Sequence, residues 1–248
     1  MKKIVILALI GIFAFYPFIG EIDAFWNRAE IRTEIRRLVN DVNSMRWTDA
    51  VLNDRINQAQ DDVAWRTRFM VNQTTVACTV GQLEYELPAD CLIPIRICYD
   101  TDGSSVTTKY EELDYATLDK LDRDNGQYWE TRSSGTPKEY YYRGNYVGLF
   151  PPPGQNYTGD YGDLRLHYVV RPSTMTSDSN IPYTVGSNNY RMLFPFHQLI
   201  VWHVCAQCAA DERDTAMMNF YWSKYLTDIA EIRVHLNNQP DKKGGFSR

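Results

Sequence analysis

The sequence predicts an α+β protein. An N-terminal helical hairpin and a long C-terminal helix pack together, and an antiparallel β-sandwich or barrel is inserted between them. Three patterns predict this class: apolar residues recur every three or four positions over 27–70, alternate with polar ones over much of 73–172, and return to helical spacing over 196–236. The predicted parts are an apolar segment at 1–26, a helical hairpin at 27–72, a β domain at 73–172, a loop at 173–194, helices at 195–236 and a flexible arm at 237–248.

The composition limits the classes of function. A hydrophobic content of 44% with 13% aromatic residues is typical of a folded globular protein. The formal net charge of −5 excludes the bulk basic surface that free-standing nucleic-acid binding needs. The 17 tyrosines are typical both of protein interfaces and of β-rich cores. Five cysteines at irregular spacings favour free, buried thiols in a reducing compartment over a disulfide framework.

The N-terminal segment allows three interpretations. Lys2 and Lys3 precede an uncharged apolar run at 4–20, which is the pattern of a secretory signal peptide or anchor. The run is short for a membrane span, Pro17 interrupts it, and no small-x-small cleavage site follows it. The alternatives are a non-native leader translated from an upstream start codon and an apolar helix buried in an assembly. Taken alone, the segment favours the signal or anchor.

A short amphipathic helix is predicted over residues 27–42. Asn27 and Glu30 have the spacing of a capping box, in which each side chain bonds the other residue's backbone N–H. The apolar stripe consists of Ile31, Ile35, Leu38 and Val42. Another face carries three arginines at steps of four, Arg28, Arg32 and Arg36. This row indicates either a solvated basic face or a surface that docks on an acidic partner.

The most fully specified helix occupies residues 46–70 and pairs with the first across a turn at 43–44. Thr48 is a suitable N-cap, and Trp47 and Leu52 are spaced for a hydrophobic staple. The apolar stripe consists of Leu52, Ile56, Ala59, Val63 and Met70. The polar face consists of Asn53, Asp54, Asn57, Gln58, Gln60 and Asp61. These two faces predict a helix that lies on a core and carries no reaction site.

The β domain begins with alternating residues at 74–87, which predict a hairpin that turns at 80–82. Residues 92–99 predict a further strand. A turn at Asp102-Gly103 then precedes a strand at 105–110.

The second half of the β domain contains its clearest hairpin. Residues 111–122 predict a short helix ended at 124–126. Residues 139–150 predict the hairpin, which turns at 143–145 and is closed by three prolines. The alternation at 164–170 predicts a half-buried strand, so that six or so short strands form the domain.

The C-terminal part returns to helix after a polar, loop-like stretch at 173–189. Residues 196–210 are apolar on nearly every face, so this helix, with Trp202, is either buried on all sides or sandwiched between subunits. The last helix has a regular stripe that fits a seam on the N-terminal helices: Met218, Trp222, Tyr225, Ile229, Ile232 and Leu236. The basic arm at 237–248 is a frayed terminus or orders on a partner through Lys242, Lys243, Phe246 and Arg248.

None of the candidate metal-binding or catalytic motifs has the residue spacing that its chemistry requires. Cys205 and Cys208 form a CxxC in the middle of an apolar helix, without a second pair, and His203 points to another face than Cys205. The acidic runs at 100–103 and 122–126 do not match a calcium loop. No phosphate-binding loop or nucleophile elbow is present, and no histidine has an adjacent acid and nucleophile. We therefore expect no catalytic residue, no metal site and no cofactor.

Several segments in a fixed order point to a known family. An IRRLVND segment is followed by RWTDAVLNDRINQAQDDVAWRT, GQLEYELPADCLIPIRI, YYYRGNYVGLFPPP and CAADERDTAMMNFYW. In this order the segments resemble the head-to-tail adaptor (connector) proteins of tailed bacteriophages, over about residues 29–236. No single motif is specific enough to carry the resemblance alone.

The resemblance implies a ring, typically of twelve copies, below the portal protein at one capsid vertex. The helical part would pack against neighbouring copies, the β part would face a tail or nozzle protein, and DNA would pass through the lumen without specific binding. A C-terminal arm that reaches the portal is common in the family, and residues 237–248 have that position. Such proteins assemble in the host cytoplasm and belong to the virion, so no membrane is expected.

The apolar helical stripes predict burial between copies, since they exceed what one small bundle can hide. We therefore expect a non-enzymatic adaptor. Its predicted interface residues are Arg28, Arg32, Arg36, Trp202, Lys242, Lys243, Phe246 and Arg248. The alternative function is an exported or membrane-tethered β domain that binds a ligand such as glycan through its tyrosines.

Overall fold

The computed structural model describes residues 26–101, 109–126, 128–154, 162–190 and 196–237. It confirms the predicted α+β class. The described helices are α1 (Arg28–Leu38), α2 (Asp49–Thr67), α3 (Leu118–Asn125), α4 (Gln198–Asp211) and α5 (Thr215–Asn237). The described strands are β1 (Val71–Ala77), β2 (Glu84–Glu86), β3 (Cys91–Asp100), β4 (Tyr110–Glu112), β5 (Asp114–Tyr115), β6 (Glu139–Arg143), β7 (Tyr146–Phe150), β8 (Asp163–Val170), β9 (Thr184–Val185) and β10 (Asn188–Asn189).

The N-terminal ends of α1 and α2 form as predicted. The Asn27 side chain accepts the Glu30 backbone N–H at 3.0 Å, and the Glu30 carboxylate accepts the Asn27 N–H at 2.8 Å. The Thr48 hydroxyl accepts the Val51 N–H at 3.4 Å. Each bond satisfies a backbone donor that has no partner within its helix.

The predicted end of the first helix is wrong. The helix stops at Leu38 rather than at residue 42, and Val42 is 69% exposed instead of completing the apolar stripe. The reason is a change of backbone conformation at Asn40, whose φ of 54° is left-handed and cannot continue a right-handed helix. A short connection therefore leads from α1 to α2.

Helix α4 occupies the centre of the helical part, with α1, α2 and α5 packed around it. Its buried residues lie on all faces: Leu199, Ile200, Val201, His203, Val204, Cys205, Ala206, Cys208 and Ala209. Burial on all sides is thus achieved within one chain. Helix α5 packs mainly on α4 and more lightly on α2, through Tyr221, Tyr225, Ile229 and Ile232. The predicted seam on the N-terminal helices is wrong in its main partner, because α5 packs chiefly on α4. Its contacts with the N-terminal helices include the hydrogen bond from the Tyr221 hydroxyl to the Leu38 carbonyl.

The β part consists of two four-stranded sheets, ordered β1-β8-β3-β4 and β2-β7-β6-β5. Strand β8 is central in the first and shows the predicted alternation, with Leu164, Leu166 and Tyr168 buried. The 139–150 hairpin is confirmed as β6 and β7, joined at Gly144 with a φ of 60° that favours glycine. One pair departs from the antiparallel pattern, since β5 runs parallel to β6.

Two predicted β-region elements are wrong. Residues 74–87 do not form a hairpin, because β1 pairs with β8 and β2 pairs with β7 in the other sheet. Alternation identifies a strand without identifying its partner. The helix predicted at 111–122 begins only at Leu118, after the Thr117 N-cap, because the residues before it pair as β4 and β5. The predicted turn at Asp102-Gly103 lies outside the described residues.

The stretch at 173–189 is not a bare loop. It contains the short hairpin of β9 and β10, and it buries Met175 and Tyr183 against the helices. The buried cluster to which these two side chains belong continues through the helices into both four-stranded sheets. The helical and β parts therefore share one core.

Candidate interaction surfaces

The row of arginines on α1 is neutralised by the chain itself. The Arg28 guanidinium lies 2.9 Å from the Asp178 carboxylate and donates to the Met175 carbonyl at 2.6 Å. Arg32 lies 3.0 Å from the same Asp178. Arg28 is buried, and only 13% of the Arg32 side chain is exposed.

Arg36 completes the row with two further acids. Its guanidinium lies 3.1 Å from the buried Asp41 carboxylate and 2.6 Å from the Asp49 carboxylate. The interpretation of a solvated basic face is therefore wrong. The aliphatic parts of these arginine side chains pack against the protein, and their guanidinium groups form ion pairs with acids of the same chain. The acidic surface on which these arginines dock belongs to the same chain. Their contact with a partner protein stays a prediction.

The 173–189 segment is attached to α2 by amide side chains. Gln60 donates to the Ser173 carbonyl at 3.0 Å, and Asn57 accepts the Met175 backbone N–H at 2.9 Å. Gln60 is 1% exposed, so its assignment to the polar, outward face of the second helix is wrong. It is buried because both ends of its amide meet backbone groups of the segment, Tyr183 N–H included.

We predict that acid releases this segment. Hydrogen bonds from Arg32 and then Arg28 lower the pKa of Asp178 to about 2. A carboxyl group with a lowered pKa stabilises the fold above its ordinary pKa, so this contribution is lost as the pH falls from about 4 to about 2. The protection factors of the amides of residues 173–189, which correct for the slower intrinsic exchange in acid, should fall across that interval. Asp178→Asn should show the faster exchange already at pH 5, whereas Asp54→Asn should not. Equal exchange in wild type and Asp178→Asn at pH 5 would contradict the attachment.

The Trp202 side chain of α4 packs against α5. Its indole Nε1 donates to the Asp228 carboxylate at 3.1 Å, and its ring stacks on Tyr221 with centroids 5.9 Å apart. These contacts are within the chain and leave the side chain half-buried. Its predicted role between subunits stays a prediction.

A partly buried polar cluster joins α2, α4 and α5. The Asp62 carboxylate accepts from the Tyr225 hydroxyl at 2.5 Å and from Arg66 Nε at 2.7 Å, and it lies 3.7 Å from His203 Nε2. Burial lowers the pKa of His203, while Asp62 acts in the opposite direction. His203 and Tyr225 are buried, whereas the side chains of Asp62 and Arg66 are partly exposed, so the cluster links the three helices at the edge of the core.

The cysteines are free thiols. Cys205 and Cys208 are buried on α4, and burial raises the pKa of Cys208 to about 11 and that of Cys205 further. Thiols with raised pKa values stay protonated at neutral pH and are poor nucleophiles and metal ligands. Among the described residues, no group of three or more histidine, cysteine or acidic side chains could hold a metal ion.

Helix α5 has a second face that was not among the predicted ones. Opposite the buried stripe lie six exposed, uncharged residues at steps of four and three: Ala216, Phe220, Ser223, Thr227, Ala230 and Val234. We call this set the outer stripe of α5. Phe220 is 49% exposed and Val234 is 58% exposed. The sequence contains a signal for this face, because a row of uncharged residues at heptad spacing is unusual on the solvent side of a helix.

The ends of the chain lie outside the described residues. The predicted interface residues Lys242, Lys243, Phe246 and Arg248 fall there, as does the apolar run at 4–20. Within the part of the chain that the structure covers, none of the helices is long and apolar enough to cross a membrane.

Comparison with known proteins places the chain in a family. No curated protein matches it. The family model described as SU10 adaptor protein matches residues 26–244. The match takes in both the helices and the two sheets. Membership of a phage adaptor family implies a structural component of the virion. The chain therefore belongs to the phage head-to-tail adaptor proteins, in the SU10 adaptor protein family.

Proposed function

We propose that the protein is a structural adaptor whose copies form a ring between the portal and the tail of a tailed phage. The observation that carries the proposal is the family match over residues 26–244, which includes every residue that the structure describes. A ring of twelve copies, in contact with the portal protein and with a tail or nozzle protein, is the assembly that the family resemblance favours. In this proposal the protein assembles in the host cytoplasm and acts at the portal-tail junction of the capsid vertex.

The surface supports association with proteins. Helix α5 presents its outer stripe to solvent over most of its length, and removal of such a face from water favours association. The predicted role of residues 237–248 as an arm toward the portal is part of this proposal. Helix α5, which ends at Asn237, leads directly into that arm.

The charge supports passage of DNA without binding. The formal net charge is −5, and the four arginines of α1 are paired with Glu34, Asp41, Asp49 and Asp178. Firm binding of duplex DNA needs several unpaired cations that contact phosphates. A lumen lined by such a surface would let DNA slide through.

Co-assembly with the portal tests the proposal. The purified full chain should be mixed with the portal protein encoded beside it and examined by mass photometry and sedimentation velocity. We expect a complex of the portal with a closed ring of this chain, absent from either protein alone. A chain that stays unbound across micromolar concentrations would contradict the proposed function.

Processing of the N-terminus distinguishes the adaptor from the alternative function. An exported β domain predicts cleavage near residue 24 and recovery outside the cytoplasm. The adaptor predicts recovery of the protein in the cytoplasm and in particles. N-terminal sequencing of the protein from infected or expressing cells distinguishes the two.

A further inference from the structure

Strand β1 forms one edge of its four-stranded sheet, and β8 is its only strand partner among the described residues. The Val170 N–H donates to the Met70 carbonyl at 2.8 Å just before β1 begins, and the register then continues without a shift from Val71 and Val169 onward. In an antiparallel pair, successive residues direct their backbone groups alternately toward the partner strand and away from it. The even-numbered residues of β1 therefore bond β8, and the odd-numbered residues direct their N–H and C=O groups to the other side.

The open stretch of this edge comprises residues 73–77. At Val71 the edge is already occupied, because the Val71 carbonyl accepts from the Tyr190 hydroxyl at 3.2 Å. Further along, no described residue bonds the Gln73 carbonyl or either backbone group of Thr75 and Ala77. We call residues 73–77 the open edge of β1. It presents a row of unpaired donors and acceptors to solvent.

The other three edges of the two four-stranded sheets are protected against an added strand. Strands β2 and β4 have three residues each and β5 has two, and each of the three contains at least one acidic residue. Short strands and charged side chains are the usual means by which proteins prevent pairing at a sheet edge. Strand β1 has seven residues and contains neither a charged residue nor a proline. The absence of this protection indicates that the edge is used.

The two faces beside the open edge differ in polarity. On the inner face, Thr74 and Val76 are half-buried, and Val76 packs against the core. On the outer face, Gln73 and Thr75 are exposed. Side chains directly opposite each other on neighbouring strands are in contact. A strand that adds here should therefore carry apolar or β-branched residues at alternate positions, with polar residues between them.

An open cavity lies at the N-terminal end of the same edge. It has a volume of about 510 Å³ and is lined by Val71, Asn72, Ser187, Asn188, Asn189 and Tyr190. Asn188 and Asn189 form the exposed strand β10. Their amide groups both donate and accept, so they can bond the backbone of a chain that leaves the edge at this end.

The geometry of the edge selects its occupant. Backbone donors and acceptors at strand spacing are matched by another polypeptide in the extended conformation, rather than by a helix or a nucleic acid. A second β1 would pair about a two-fold axis, and such a contact closes at two copies instead of continuing around a ring. The other described edges of the two four-stranded sheets are too short to cover residues 73–77. The occupant therefore belongs to a different protein.

We infer that the open edge of β1 binds an extended segment of a different protein of the particle, which adds a fifth strand to the sheet. In this mode the main-chain hydrogen bonds supply affinity, and the alternating side chains supply specificity. The inference rests on the proposed function, because the ring excludes a second β1 as the occupant.

Substitution of Thr75 tests the edge without disturbing β8. Thr75→Pro removes an outward N–H and keeps the bonds between β1 and β8, so the melting temperature and ring formation with the portal should stay at wild-type values. Thr75→Lys places a charge on the edge and serves as a second variant in case proline disturbs the strand. Thr75→Ser retains the N–H and is the matched control.

Cross-linking in particles identifies the occupant. Gln73→Cys, labelled with a benzophenone maleimide, should be built into particles in place of the wild type, irradiated and analysed by mass spectrometry. Wild type treated in the same way corrects for the native cysteines. We expect a cross-link to a segment of a different particle protein. Its yield should fall at least tenfold when Thr75→Pro or Thr75→Lys is added and should stay unchanged with Thr75→Ser.

The outcomes separate this inference from the proposed function. If the label reaches a second copy of this chain, or reaches no protein in particles that contain the ring, the inference is overturned and the adaptor function stands. An equal yield with Thr75→Pro, Thr75→Lys and wild-type Thr75 would also overturn it. If the wild type forms no ring with the portal, the proposed function fails, whereas a cross-link to a different protein that depends on Thr75 would still support the binding edge.

Discussion

Replacing Asp41 with alanine should lower the free energy of unfolding by about 3 to 5 kcal/mol, because the change leaves a buried arginine without one of its partners. The Asp41 carboxylate is 4% exposed and accepts the backbone N–H groups of Met45, Arg46 and Trp47 at 2.8, 3.1 and 3.0 Å. It also lies 3.1 Å from the Arg36 guanidinium. One side chain thus fixes the connection between α1 and α2. Urea denaturation followed by circular dichroism measures the loss.

Controls for Asp41 separate charge from hydrogen bonding. Burial tends to raise the pKa of Asp41, but the hydrogen bonds from Trp47, Arg46 and Met45 outweigh it and the pKa is lowered. Its contribution should therefore be lost as the pH falls below the ordinary value of 3.8. Asp41→Asn keeps one acceptor oxygen and should have an intermediate effect. Asp54→Ala, at an exposed position of α2, should leave stability unchanged. A loss below about 0.5 kcal/mol for Asp41→Ala, the size of a typical surface effect, would contradict this role.

Replacing Gly148 with alanine should lower the free energy of unfolding by about 2 to 3 kcal/mol, which is the cost of overpacking a filled core. Gly148 on β7 pairs directly with Tyr141 on β6, and a methyl group at Gly148 would overlap the Tyr141 ring. The ring cannot move away easily, because it is 1% exposed and its hydroxyl donates to Glu84 at 3.1 Å. Differential scanning calorimetry measures the effect.

A second glycine supplies the matched control. A methyl group at Gly135 would meet its nearest neighbour, Pro151, at 3.4 Å, which is an ordinary contact. Gly135→Ala should therefore change stability little. The double variant Gly148→Ala with Tyr141→Ala should be less destabilised than the sum of the single variants, because the overlap exists only when both are present. Full additivity would show that the ring does not occupy the space above Gly148.

Local features could be predicted because neighbouring residues carry their signals. The capping box of Asn27 and Glu30, the N-cap at Thr48 and the apolar face of α2 depend on spacings of three and four within one helix. The 139–150 hairpin depends on a short turn between alternating runs. In each case, the residues that specify the element are the residues that form it.

Features that depend on distant residues could not be predicted. The pairing of β1 with β8 and the ion pair between Arg28 and Asp178 join residues far apart in the chain. Gln60 looked like a solvent-facing amide because its partners lie in the 173–189 segment. The outer stripe of α5 was overlooked for another reason: its apolar residues are mixed with small polar ones, so it lacks the strongly apolar pattern of a core.

Imaging of the portal vertex tests the central claim most directly. Particles of the phage that encodes this chain should be purified and their portal vertex reconstructed by electron cryomicroscopy, with the chain located by its fold and by mass spectrometry of the same particles. We expect a closed ring of this chain directly between the portal and the tail, with duplex DNA in its lumen. Virions that lack the chain, or that carry it elsewhere than at the portal-tail junction, would contradict the account.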